Sequence, residues 1–89
     1  MNGFIFTKKA AKIFLKLEQN QQDRIRKKLL QLKEHEDIFS VLKTLKDFDP
    51  ATHRLRVGNY RLILFLEKNT VEDCIFVILD LGRRDEIYQ

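Results

Sequence analysis

The sequence predicts an α+β fold in which an N-terminal helical hairpin packs on one face of a small antiparallel β-sheet. Two observations lead to this prediction. Apolar residues recur with a period of about 3.6 before Pro50 and about 2 after it, which marks a change from helices to strands. The chain also holds only three glycines and one proline, so little interrupts long helices and closely connected strands. Its 89 residues suit one domain, residues 1–89.

The N-terminal half predicts a short strand followed by two helices. Phe4 and Phe6 alternate with their neighbours, and Thr7 suits the N-cap of the next helix. A polar turn over residues 18–21 joins the two helices as an antiparallel hairpin. Their apolar stripes are Ala10, Ile13, Phe14 and Leu17 in the first helix, and Ile25, Leu29 and Leu32 in the second. The basic residues of the second helix, which suit a solvated face or a contact with RNA, are Arg24, Arg26, Lys27 and Lys28.

The C-terminal half predicts three strands, over residues 53–57, 60–67 and 71–80, joined by short turns. Before them, residues 39–49 lack a clear period, although Leu42 and Leu45 fit a short helical turn. The core expected from these elements includes Ile13, Phe14, Leu17, Ile25, Leu29, Leu62, Leu64, Phe76 and Ile78.

Composition argues against several classes of protein. No stretch approaches the roughly 18 apolar residues of a membrane helix, and the first residues lack the basic start of a secretory signal, so a cytoplasmic protein is expected. Cys74 is the single cysteine, which excludes an internal disulfide, and its apolar neighbours predict a buried, unreactive thiol. No His, Cys, Asp or Glu cluster has the spacing of metal ligands, so neither a metal nor another cofactor is expected.

The net charge suits an anionic partner. The 17 lysines and arginines outnumber the 13 aspartates and glutamates, which gives a net charge of +4. A basic surface attracts nucleic acid through counterion release, and it also suits an acidic protein. A modest positive charge can also serve only to keep a protein soluble. The net charge alone therefore does not decide between an anionic partner and solubility.

Residues 54–63 predict a β-hairpin with arginines gathered on one face. Gly58-Asn59 is a two-residue turn pair of type II′ or I′ that places Arg56 opposite Arg61. Alternation assigns Arg54, Arg56 and Arg61 to one side, here called the arginine face. The opposite side, expected to pack under the helices, carries Leu55, Val57, Tyr60 and Leu62. Opposed like charges destabilise a hairpin by roughly a few tenths of a kcal/mol, but a bound anion turns repulsion into attraction. A plain solvated arginine face is the alternative.

The C-terminal tail carries similar chemistry. Arg83 and Arg84 follow the last strand, and Tyr88 lies close behind them. Guanidinium groups for phosphate and an aromatic ring for base stacking are a combination used on single-stranded RNA. If the chain leaves the sheet toward the arginine face, these residues join the hairpin arginines. Otherwise, Tyr88 only folds onto the sheet.

Together, the hairpin and the tail resemble the RelE/ParE toxin superfamily of bacterial toxin–antitoxin pairs. The resemblance rests on the basic pair Arg54 and Arg56, the turn at residues 58–61, the apolar strand and the tail at residues 82–88. RelE-like toxins enter the ribosomal A site and cut mRNA, whereas ParE-like toxins poison DNA gyrase. The ending Ile87-Tyr88 resembles the RelE branch, which implies a metal-independent mRNA endoribonuclease silenced by a cognate antitoxin. A gyrase inhibitor and a non-catalytic basic binding module remain the alternatives.

The resemblance implies roles for individual residues. The catalytic positions around the scissile phosphate correspond to Arg56, Arg61, Arg84 and Tyr88, and the expected substrate-binding residues are Arg54 and Arg83. RelE enzymes often have lysine at the positions of Arg54 and Arg56, one of them assigned as the general base. A guanidinium stays protonated at neutral pH, so Arg56 suits an electrostatic clamp rather than a base.

Proton transfer therefore falls to another residue. Tyr88 is the expected acid or base, near Arg61 and Arg84. His53 is a weaker candidate, because strand alternation directs it away from the neighbouring arginines. Glu86 is a similarly weak candidate.

Overall fold

The computed structural model describes residues 1–83, which form two helices packed on one face of a five-stranded sheet. This arrangement confirms the predicted α+β class. The helices are α1 (Lys8–Leu15) and α2 (Gln19–Lys33), and a 3₁₀ helix spans Ile38–Val41. The strands are β1 (Asn2–Phe6), β2 (Lys43–Thr44), β3 (His53–Val57), β4 (Tyr60–Asn69) and β5 (Cys74–Arg83). Neither α1 nor α2, nor the short helix after them, is long and apolar enough to cross a membrane.

The sheet is mixed rather than wholly antiparallel. Its strand order is β1-β5-β4-β3-β2, and β1 runs parallel to β5, with Asn2 beside Cys74 and Phe6 beside Ile78. The other neighbouring strands are antiparallel, as predicted. The direction of β1 has no local signature, because its partner strand begins some 70 residues later and no turn connects them.

Two side chains fix the ends of the helical hairpin. Thr7 is the N-cap of α1, as predicted, and its Oγ1 accepts a hydrogen bond from the Ala10 backbone N at 3.1 Å. At the other end, the buried Asn2 amide donates to the backbone oxygens of Leu32 and His35, both at 2.8 Å. Asn2 therefore joins β1 to the C-terminal end of α2. No sequence pattern identifies this cap, because it acts from a distant strand.

The core follows the prediction at its centre but not at its edge. The predicted core residues that are buried are Phe14, Ile25, Leu62, Leu64, Phe76 and Ile78. Ile13, Leu17 and Leu29 are only partly buried, because they pack around the rim of this cluster. Cys74 is also only partly buried, since it lies at the first position of β5, so the expectation of a buried thiol is wrong.

A bulge in β5 decides which of its residues reach the core. Ile63 pairs with Asp80 and Leu64 pairs with Ile78, so Leu79 has no partner and the alternation changes there. As a result, Leu81 enters the core at 2% exposure, while Asp80 lies on the same side as Ile63. Without the bulge, alternation from the buried Ile78 would also bury the Asp80 carboxylate. Burying a charged group that has no charged or hydrogen-bonded partner carries a large free-energy cost. The strand also continues past Gly82 to Arg83, beyond its predicted end.

Candidate functional site

The hairpin forms with the predicted register. Val57 pairs with Tyr60, and Arg56 lies directly opposite Arg61. Gly58 has a φ of 60°, whereas Asn59 is not among the positive-φ residues. A type II′ turn requires a positive φ only at its first central residue, so the structure selects type II′ over type I′.

The arginine face exists as a surface of three adjacent strands. Arg54 lies opposite Ile63, Arg56 opposite Arg61, and Arg61 also lies beside Gly82 on β5. Their strand neighbours Leu55, Val57 and Leu62 are buried on the helix side. Gly82 adds no side chain of its own beside Arg61. The sequence prediction of a shared face is confirmed for these three arginines.

The three arginines differ in exposure. Arg56 is exposed, whereas Arg54 and Arg61 are partly buried and their Nε atoms are inaccessible to solvent. The Cβ atoms of directly opposed strand residues lie about 4.5–5.5 Å apart, so the Arg56 and Arg61 side chains start close together. Partial burial limits the rotamers of Arg61, which lowers the entropy lost when it binds an anion. The spacing of Arg56 and Arg61 suits contact with a single phosphate group.

The Asp80 carboxylate also lies on this side of the sheet, and its charge is already compensated. The Asp80 Oδ2 is 3.2 Å from the Lys9 Nζ, and its Oδ1 accepts a hydrogen bond from the Leu81 backbone N at 2.9 Å. Arg56 takes part in none of the ion pairs found within residues 1–83. Arg56 therefore contributes an exposed positive charge to the arginine face, which favours an anionic ligand.

His53 lies on the other side of the sheet, as predicted. Its ring packs against Phe39 and Phe76, with centroid distances of 5.5 and 5.7 Å, and its Nδ1 is 2.8 Å from the Thr52 Oγ1. Burial lowers the pKa of His53 below its ordinary value, because desolvation penalises the charged ring. His53 is thus directed away from the arginine face and acts as a packing residue.

Of the predicted tail residues, the structure describes only Arg83. Arg83 pairs with Tyr60 at the end of β5, so its position in the strand directs it to the side opposite Arg61 and Gly82. The expectation that Arg83 joins the arginine face is therefore not met by the strand register. Arg84, Glu86 and Tyr88 lie outside the described residues.

Residues 1–83 contain no group of three or more His, Cys, Asp or Glu side chains placed to hold a metal ion. The arginine side chains offer positive charge and several hydrogen-bond donors on one face of the hairpin. Guanidinium groups in this arrangement bind phosphate in a bidentate manner and stabilise negative charge that develops on it.

Comparison with solved structures shows which fold this is. A chain of the RelBE2 toxin–antitoxin complex from Mycobacterium tuberculosis aligns with a TM-score of 0.72 and 24% identity, over 92% of this chain and 96% of that one. The isolated E. coli RelE toxin aligns with a TM-score of 0.66 and 21% identity, over 97% and 89% of the two chains. A chain of the intact E. coli RelBE complex aligns with a TM-score of 0.65 and 19% identity, over 91% and 94%. No protein-family model matches the sequence, and comparison with curated proteins gives no significant match.

Proposed function

Because the chain has the fold of the RelE toxins, we propose that it is the toxin of a type II toxin–antitoxin pair that cleaves mRNA on the ribosome. The observation that supports this most directly is the pair Arg56 and Arg61, opposed across the hairpin with Arg54 on the same face. A hairpin stabilised only for itself gains from opposite charges at such a position. An RNA phosphate between the two guanidinium groups gives the pair a favourable role.

The proposed reaction is a transesterification within the RNA. The ribose 2′-oxygen forms a bond to phosphorus, the bond to the 5′-oxygen breaks, and the products end in a 2′,3′-cyclic phosphate and a 5′-hydroxyl. The pentavalent intermediate carries extra negative charge on its non-bridging oxygens. Arg56 and Arg61 would donate hydrogen bonds to these oxygens, and Arg54 would bind the neighbouring substrate phosphate. Donors aimed at developing charge supply a large part of such rate enhancements.

Two proton transfers complete the reaction, from the 2′-hydroxyl and to the 5′-oxygen. Arginine is poorly suited to either transfer because it remains protonated at neutral pH. We assign this role to Tyr88, with Arg84 as a further clamp and Arg83 as a substrate-binding residue. The proposal requires neither a metal nor an organic cofactor, because the nucleophile belongs to the RNA.

The proposed partners follow from the same surface. The ribosomal A site would present the mRNA, so the protein would act in the cytoplasm. A cognate antitoxin would keep it silent by covering the arginine face with an acidic or amphipathic segment. Expression of the chain alone should stop bacterial growth, and coexpression with the antitoxin should restore it and yield a complex that copurifies.

Cleavage of mRNA on programmed ribosomes tests the enzymatic part. Arg61→Ala should slow cleavage by about 10²-fold or more, since one preorganised donor supplies roughly 3 kcal/mol. Lys12→Ala, which removes an exposed charge on α1, is the control and should cleave like the wild type. Thermal unfolding of Arg61→Ala separates a catalytic loss from a folding defect, because Arg61 is partly buried.

Two further variants divide the chemistry between clamp and proton transfer. Arg56→Lys keeps the charge and adds a titratable amine, so cleavage should persist or rise. Tyr88→Phe keeps the ring and removes the hydroxyl, so cleavage should fall while ribosome binding remains.

A gyrase inhibitor is the second candidate, favoured by arginine at both strand positions where RelE enzymes often have lysine. If purified protein leaves ribosome-bound mRNA intact but blocks DNA supercoiling by gyrase, this second candidate replaces the first.

A further inference from the structure

A second basic surface lies beside the arginine face, between α2 and the hairpin turn. It is a cavity of about 300 Å³, here called the basic cleft, and its lining residues are Arg24, Lys27, Lys28, Gln31, Arg56, Val57 and Gly58. The α2 residues fall at i, i+3, i+4 and i+7, so they form one polar stripe along the helix. The core residues Ile25 and Leu32 belong to a different stripe. The pattern of α2 therefore turns three of its cations, Arg24, Lys27 and Lys28, toward the hairpin.

The sheet leaves room for this cleft. β2 pairs with β3 only at His53 and Arg54, so the edge of β3 beyond Arg54 has no strand neighbour among the described residues. α2 packs against β3, and the cleft lies where their side chains meet. Arg56 contributes to both surfaces, because its strand position assigns it to the arginine face and it also lines the basic cleft.

The turn glycine allows Arg24 to lie close to the hairpin. A Cβ atom at position 58 would lie 2.8 Å from the Arg24 Nη1, which is closer than side-chain atoms normally approach. The Arg24 guanidinium therefore lies across the turn in the space that the missing side chain leaves. Gly58 thus has two roles, since its positive φ forms the turn and its lack of a Cβ admits Arg24.

The cations of the cleft have no acidic partners in the described chain. None of the ion pairs within residues 1–83 includes Arg24, Lys27 or Lys28. Arg26, on the same helix, does pair with Asp23 and lies over the Phe14 ring. Like charges at i,i+3 and i,i+4 destabilise a helix by about 0.2–0.5 kcal/mol per pair, and an anion in the cleft offsets this cost.

Acidic residues are concentrated elsewhere. A cavity of about 420 Å³ beside the N-terminus is lined by Glu34, Glu36, Glu72 and Asp73 among its residues. Neither this cavity nor its acidic residues contribute to the lining of the basic cleft. Such a separation of charge orients an approaching polyanion so that it meets the basic side of the molecule first.

We propose that the basic cleft binds backbone phosphates of the RNA outside the scissile phosphate, with Arg56 at the junction of the two surfaces. RNA is favoured over an acidic protein because the lining contains one apolar side chain, Val57, which is already buried. A protein interface normally needs an apolar centre, whereas a phosphate backbone needs cations and hydrogen-bond donors. The choice of RNA as the ligand rests on the proposed function. It adds a binding contribution that does not enter the chemical step.

The test compares two double variants with the same change in charge. Lys27→Gln/Lys28→Gln removes two cations of the cleft. Lys12→Gln/Lys16→Gln, the α1 variant, removes one cation from α1 and one from its C-cap. A 2′-O-methylated RNA oligonucleotide, which lacks the attacking hydroxyl, serves as the ligand in fluorescence anisotropy over a series of salt concentrations. The slope of log K against log salt is negative, and two lost phosphate contacts should reduce its magnitude by about 1.4 for a single strand. The α1 variant should bind with the slope of the wild type.

Further outcomes separate this proposal from the proposed function. Single-stranded DNA should show the same loss, because only backbone phosphates are recognised, and on ribosomes the cleft variant should raise KM and leave kcat unchanged. A wild type that cleaves no mRNA, with the slope difference intact, refutes the nuclease and retains the cleft. An unchanged RNA affinity and slope in the cleft variant overturn the proposal. So does a cleft variant that keeps RNA binding but loses binding to a poly-glutamate peptide, since the cleft would then be a protein site.

Discussion

Gly58→Ala tests how the turn positions both basic surfaces. Alanine at a φ of 60° is strained, and a residue held in such a sparsely populated region costs of the order of 1–3 kcal/mol. The new Cβ would also meet the Arg24 Nη1 at 2.8 Å, but this atom ends a flexible side chain and moves at little cost. We therefore expect a loss of about 1–3 kcal/mol in the free energy of unfolding, most of it from the backbone.

Urea unfolding of four proteins separates the two contributions. They are the wild type, Gly58→Ala, Arg24→Ala and the double variant. If backbone strain dominates, Gly58→Ala costs nearly the same with or without the Arg24 side chain, and the coupling energy stays below about 0.5 kcal/mol. In thermal unfolding, each kcal/mol should lower the Tm of a chain this size by roughly 4–8 °C.

Gly58→Asn is the matched control, because asparagine also carries a Cβ but tolerates a positive φ better than alanine. It should therefore destabilise less than Gly58→Ala, and both should weaken RNA binding by displacing Arg24. The reasoning fails if alanine and asparagine cost the same, or if the cost disappears once Arg24 is shortened. Either result would assign the requirement for glycine to the Arg24 contact instead of the type II′ turn.

Two further predictions concern parts of the fold outside the site. Asn2→Leu should lower the free energy of unfolding in urea by about 1–3 kcal/mol, because the carbonyls of Leu32 and His35 lose the amide that they share; no change would show that Asn2 does not cap α2. Burial lowers the pKa of His53, so the unfolded chain binds the proton first and stability should fall as the pH drops through about 6.5. His53→Phe should flatten this fall between pH about 7.5 and 5.5, above the carboxylate range, and an equally steep curve would rule out His53 as its source.

The arginine face is the part of the site that was determined locally. A two-residue turn and a period of about 2 fix which residues oppose one another, whatever the remaining chain does. Arg56 and Arg61 therefore appear opposite one another in the structure as they do in the predicted hairpin. The same local logic correctly predicted the Thr7 cap and the stripes that bury Phe14 and Ile25. The roles assigned to Arg84 and Tyr88 stay predictions.

Long-range contacts decided the rest. The parallel pairing of β1, the capping of α2 by Asn2 and the approach of Arg24 to Gly58 each join residues more than 25 positions apart. The bulge at Leu79 likewise allows Leu81 to be buried in place of Asp80. Regular alternation along the strand does not predict this change of side. The sequence by itself determined the hairpin and its arginines, because turn chemistry and strand period act between near neighbours. Only the tertiary structure placed α2 beside that hairpin and formed the basic cleft, because helix packing depends on the fit of distant side chains.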